Sequence, residues 1–129
     1  MPSALAHIAK QPLRKPRTTN RPVEAVLRSY TVRGQERVRR YLAANPDILV
    51  VLREAPGRIR VVFGESSPLA LVTEIDPEGI AEYEQLWIMV GCEPDVDEAL
   101  RKLRQIDSTW LVTLPRHYRG KINVDTEFV

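Results

Sequence analysis

The chain has 129 residues, 43% of them hydrophobic, with 19 basic and 17 acidic side chains. That size suits one domain of about 100–150 residues, able to bury roughly two-thirds of its unfolded surface without metal or disulfide support. A single cysteine, Cys92, excludes an intrachain disulfide framework, and no run approaches the ~20 apolar residues of a membrane span, so a cytoplasmic protein in a reducing compartment is expected.

Residues 1–21 read as a disordered basic arm. They are polar and interrupted by proline, and they carry Lys10, Arg14, Lys15, Arg17 and Arg21. Such a segment has too little apolar material to offset the entropy of ordering. The arm begins a marked segregation of charge. Residues 1–44 hold ten Lys/Arg against Glu24 and Glu36, whereas residues 61–100 hold ten acids and no base. The acid-free stretch 1–23 also raises a mitochondrial leader, but Pro2, Pro12, Pro16 and Pro22 oppose the amphipathic helix a leader needs.

A single domain is expected over 22–129, with a helical part (22–64) and a sheet-plus-helix part (65–129). Pro22 suits a first helical turn, and Val23, Val26, Leu27 and Tyr30 recur at helical spacing. Gly34 breaks this segment. Val38, Tyr41 and Leu42 resume it on a second helix ended by Asn45-Pro46, with Arg33, Arg37, Arg39 and Arg40 on the other face. A helical hairpin with solvated arginines is favoured there over a DNA-reading helix-turn-helix, which needs a third packed helix and polar readers. Residues 47–64 fit either a hairpin turning at Pro56-Gly57 or two short helices stopped by Gly64. The spacing of Leu49, Leu52, Ala55, Ile59, Val62 and Phe63 favours helices.

Strands follow at Leu69–Ile75 and Leu86–Val90, around the turn Asp76-Pro77-Glu78-Gly79. Asp95 is placed to cap a helix, with Glu98 in a capping-box relation. The expected apolar face of that helix is Val96, Ala99, Leu100, Leu103 and Ile106, and Asp97–Arg101 and Glu98–Lys102 are its four-apart pairs. Ile122, Val124, Thr126 and Phe128 alternate with polar residues, as in a half-exposed antiparallel strand. The fold class predicted is α+β: N-terminal helices, then a small antiparallel sheet in strand-strand-helix-strand order.

Candidate chemistry is sparse. Calcium-loop spacing fails from both Asp76 and Asp95, because the sixth and twelfth positions carry neither Gly nor Glu. There is no phosphate-binding Gly loop, nucleophile elbow, zinc cysteine pair or His-Glu-x-x-His. No metal or cofactor is expected. Cys92 and His117 would make a nucleophile pair only if the fold joined them. Trp87 and Trp110 read as core or as the rim of an interface. Polyanion contact, if any, falls to Arg14, Lys15, Arg17, Arg33, Arg37, Arg40, Arg116, Tyr118 and Arg119.

Tyr41-Leu42, Asn45-Pro46, Glu54-Ala55-Pro56, Phe63-Gly64, Asp76-Pro77-Glu78, Asp97-Glu98-Ala99-Leu100, Trp110, Gly120-Lys121-Ile122-Asn123-Val124 and Glu127-Phe128 form a recognisable series. With it, the last 90 or so residues resemble a family of small α+β proteins of unknown function from cyanobacteria and filamentous phototrophic bacteria. The shared positions are caps, turns and core, so the resemblance implies a fold and no activity. It also implies work with a partner, as in toxin–antitoxin-like gene pairs, and it favours helices over 47–63. The expectation is a non-enzymatic protein-interaction module that binds a partner or a second copy. The alternative is a nucleic-acid-binding accessory protein that uses the arm and the basic helix.

Overall fold

A computed structural model describes residues 21–75, 77–80 and 84–129. The arm residues Arg14, Lys15 and Arg17 lie outside these. The described elements run α1 (21–27), β1 (Thr31–Val32), α2 (Gln35–Ala44), a 3-10 turn (Pro46–Ile48), α3 (Leu49–Phe63), β2 (Leu69–Glu74), β3 (Gln85–Cys92), α4 (Val96–Thr109), two further 3-10 turns (Leu111–Thr113, Arg116–Tyr118) and β4 (Ile122–Phe128). The class is α+β.

The sheet corrects the sequence reading. It has four strands in the order β1-β2-β3-β4, and it is mixed. β1 runs parallel to β2, β2 antiparallel to β3, and β3 parallel to β4. β4 is therefore no antiparallel strand. The connection through α4 carries the chain back along β3, as parallel neighbours require. β1 was not expected at all. Two residues carry no readable alternation, and the strand exists only because Thr31 and Val32 meet Ala70 and Leu71.

α3 is one helix through Pro56, in place of two short helices or a hairpin. Proline offers no N–H to the carbonyl four residues back, here Leu52. The Tyr30 hydroxyl donates to that carbonyl at 2.6 Å. Val51, Leu52, Ala55, Pro56 and Ile59 supply the buried stripe that holds the helix on the sheet. Gly64 ends it at φ 117°, a left-handed backbone that L side chains rarely adopt.

α4 starts as expected, with the Glu98 amide donating to the Asp95 side chain at 3.1 Å. The reciprocal half of the capping box is not made, because the Asp95 amide donates to the Glu93 carbonyl instead. The Glu98 carboxylate takes Arg101, three residues on, so the Asp97–Arg101 pair does not form. Ala99 and Ile106 are buried. Val96 and Leu100 are exposed, which narrows the expected apolar face. The helix packs on α3 at the rim, where the Lys102 ammonium sits 5.5 Å from the Phe63 ring centre.

The core joins helix residues Val26, Leu27, Val38, Leu42, Ile48, Leu52, Ile59 and Ile106 to strand residues Leu69, Leu71, Leu86, Ile88, Val90 and Ile122. These strand residues share one face of the sheet by register. Trp110 belongs to the same core, at 2% exposure.

Candidate interaction surface

Successive strand residues point to opposite faces. The positions between the core residues therefore build a second face. Its register rows are Ala70 with Met89 and Asp125, and Val72 with Trp87 and Asn123. Ala70 lies outside the core cluster yet is only 4% exposed. Val72, Trp87 and Met89 are half-buried. With Thr73, Glu74 and Asp125 they line a shallow open depression of about 520 Å³. At the β4 rim Trp87 also lines a second depression, of about 350 Å³, with Leu103, Arg104, Asp107 and Leu111 of the α4 region. The Trp87 indole N–H is enclosed and meets no acceptor among the described residues.

The charge around this face is acidic. Glu74 and Asp125 are exposed beside the apolar floor. Glu127, on the same alternation in β4, is taken up by Arg33, whose guanidinium donates to both carboxylate oxygens. That bonding holds the Glu127 carboxyl below the usual carboxylate range. Arg33 thus reaches from the end of β1 to β4, the strand at the far side of the sheet order.

The expected basic positions do not form one patch. Arg33 is bound to Glu127, Arg39 pairs with Glu24, and Arg40 lies 3.3 Å from Glu36. Arg37 and Arg116 make no ion pair with the described residues. Arg119 donates to the Val112 carbonyl at 3.3 Å. The loop before β4 gathers a separate polar group. Asp47 lies 3.5 Å from the Lys121 ammonium and 3.7 Å from His117 Nε2. The rings of His117 and Tyr118 stand 4.1 Å apart. The Tyr41 hydroxyl donates to the Lys121 carbonyl at 2.7 Å, and burial pushes that hydroxyl's pKa up to about 12. Arg40 and Lys121 line one groove and Tyr118 and Arg119 another, the two meeting at Gly120. The groove bearing Arg40 thus adjoins the one bearing Tyr118 and Arg119, while Arg33 lines neither.

Cys92 and His117 are not brought together. The His117 loop adjoins the start of β3, where the Leu86 amide donates to the Lys121 carbonyl. Cys92 closes the same strand six residues on, roughly 20 Å away at ~3.3 Å per residue. Among the described residues no group of His, Cys, Asp or Glu is arranged to hold a metal ion. No described helix is long and apolar enough to cross a membrane.

Sequence reasoning passed over the second sheet face, although a signal was present. Leu69 to Val72 and Leu86 to Val90 are apolar at every position. Unbroken apolar runs belong to strands covered on both sides, whereas the described helices pack on one side of this sheet. No protein-family model, curated protein or solved structure matches the chain. The family resemblance drawn from residues Tyr41 to Phe128 therefore stands on the sequence alone.

Proposed function

We propose that this chain is a non-enzymatic protein-interaction module that docks a partner on the sheet face carrying Val72, Trp87 and Met89. One observation carries the reading: these three side chains sit on the central strands, in a depression open to solvent. An apolar floor with a polar rim is the usual form of a recognition surface. Tryptophan is also the residue type that most often dominates binding energy, and Trp87 lines both depressions. The acidic rim favours a partner segment with apolar side chains and positive charge. A protein encoded beside it, as in a toxin–antitoxin-like pair, is one such partner.

The nucleic-acid alternative has less support, since Arg33, Arg39 and Arg40 have carboxylate partners within the chain. The test is capture from the source cell with wild type and with the double variant Trp87→Ser/Met89→Ser. Both proteins are first shown to fold by circular dichroism. One protein retained in stoichiometric amount by the wild type, and lost by the variant, is the expected result. Equal retention by both, or retention of nucleic acid alone, overturns the proposal.

A further inference from the structure

We infer that the chain's own basic arm is a ligand of this sheet face, lying in cis over Val72, Trp87 and Met89. The inference rests on the docking reading above and names the occupant when no partner is bound. Three observations lead to it.

The first is chemical complementarity. The arm opens with the apolar run Ala4-Leu5-Ala6, followed by Ile8 and Ala9. It continues with Lys10, Arg14, Lys15 and Arg17, and no acid precedes Glu24. The sheet face offers the matching pattern: an apolar floor, with Glu74 and Asp125 beside it. Residues 61–100, which build β2 and β3, contain no Lys or Arg to repel the arm. Among the described residues Arg33 is already held by Glu127, and Arg104 stands off at the β4 rim, in the second depression.

The second is reach. The arm's twenty residues span up to about 66 Å when extended. A domain of this size has a radius of gyration of about 13 Å. The attachment point is fixed, because Glu24 of α1 pairs with Arg39 of α2. From there the arm can lie over any face of its own domain.

The third is the coincidence, on one face, of acids without an ion pair and an exposed apolar floor. Many acids elsewhere are already bound to bases of the fold, as with Glu24, Glu36, Asp47, Glu54 and Glu98. Glu74 and Asp125 have no ion pair among the described residues, and they flank the exposed apolar depression. An arm tethered in cis acts at an effective concentration on the order of millimolar. A weak apolar and ionic contact is then enough to cover the face. A partner must displace the arm, so affinity for that partner rises when the arm is removed.

The experiment uses the purified full chain, without partner. Carbodiimide joins amines to carboxylates in direct contact. Expected are adducts from Lys10 or Lys15 to Glu74 or Asp125, found by mass spectrometry in monomeric protein and lost in Glu74→Gln/Asp125→Asn. In a Trp110→Phe background Trp87 is the sole tryptophan. Deleting residues 1–20 should then raise acrylamide quenching and shift emission to the red, and millimolar peptide 1–20 should reverse both. If Trp110→Phe does not fold, the crosslink decides alone. Absent adducts, or adducts confined to a dimer, overturn the inference, as does quenching unchanged by the deletion. Partner capture through Trp87 is read separately, so failure of the arm contact is distinguishable from failure of the docking reading.

Discussion

Tyr30 and Leu52 are joined by a hydrogen bond that α3 needs and cannot make for itself. The Tyr30 hydroxyl donates to the carbonyl that Pro56 leaves without an amide partner, at 2.6 Å and out of reach of water. A proline in mid-helix normally breaks or kinks it. Here a side chain 22 residues earlier in the chain supplies the missing donor. Burial also raises the pKa of this hydroxyl, which keeps it protonated and able to donate.

Tyr30→Phe should therefore cost about 1–3 kcal/mol, the penalty for a buried carbonyl left unsatisfied. Pro56→Ala in the Tyr30→Phe background should recover part of that loss, because alanine restores the amide. Urea denaturation of the four proteins in a double-mutant cycle measures the coupling. Additive effects would separate the two residues.

Gly91→Ala tests a close approach between β3 and the turn before β2. An added Cβ would lie 2.5 Å from Pro68 Cγ and 3.2 Å from Pro68 Cδ. Overpacking of this kind costs about 1–3 kcal/mol. Pro68 is held there, since the Gly91 amide donates to its carbonyl at 2.9 Å. In a Pro68→Ala background the added methyl should cost much less. Thermal unfolding of the single and double variants checks it.

Tyr41 predicts an alkaline limit. Its folded pKa is raised to about 12, first by burial and then by Glu84 and Asp47. An unfolded tyrosine titrates near 10. The unfolded chain thus releases its proton first, and the contribution of this group is complete below pH ~10 and gone once pH has risen through about 12. Tyr41→Phe should lower stability at neutral pH by about 1 kcal/mol, for the lost bond to the Lys121 carbonyl. It should also flatten part of the decline between those limits, with Tyr30 retaining the rest. Denaturant midpoints across that range give the slope.

Glu127 predicts the acid counterpart. Hydrogen bonding from Arg33 lowers its pKa, so its contribution is present above the ordinary value of about 4.3 and disappears as pH falls through the folded value. The Arg33 side chain is half exposed, which limits the pair to under about 1 kcal/mol. Glu127→Gln should destabilise modestly at pH 7 and not at all once the wild-type carboxyl is protonated. High salt should shrink the neutral-pH difference. A constant difference across pH would assign Glu127 a packing role instead.

How much was legible follows from where each cause lies. The α4 start was readable because Asp95 and Glu98 are three residues apart and the cap is local. The existence of β4 was readable from its alternation. Its direction was not, because that depends on which edge of β3 the chain returns to after α4. The continuity of α3 was hidden for the same reason: the remedy for Pro56 sits on Tyr30. Of the candidate contacts, Arg33 read as a solvated cation because Glu127 lies 94 positions away. The Trp87 face was encoded in two fully apolar strands, but only the fold shows which side the helices leave open.

β3 acquires its two neighbours by very different routes. β2 joins it through one short connection, while Leu86 must wait for Ile122, with the whole of α4 between them. Long loops close slowly. The β2–β3 ribbon should therefore assemble early and stand for a time with a bare, apolar edge. Refolding yield should then fall with protein concentration even where the finished molecule is well behaved, because a second ribbon competes with β4 for that edge.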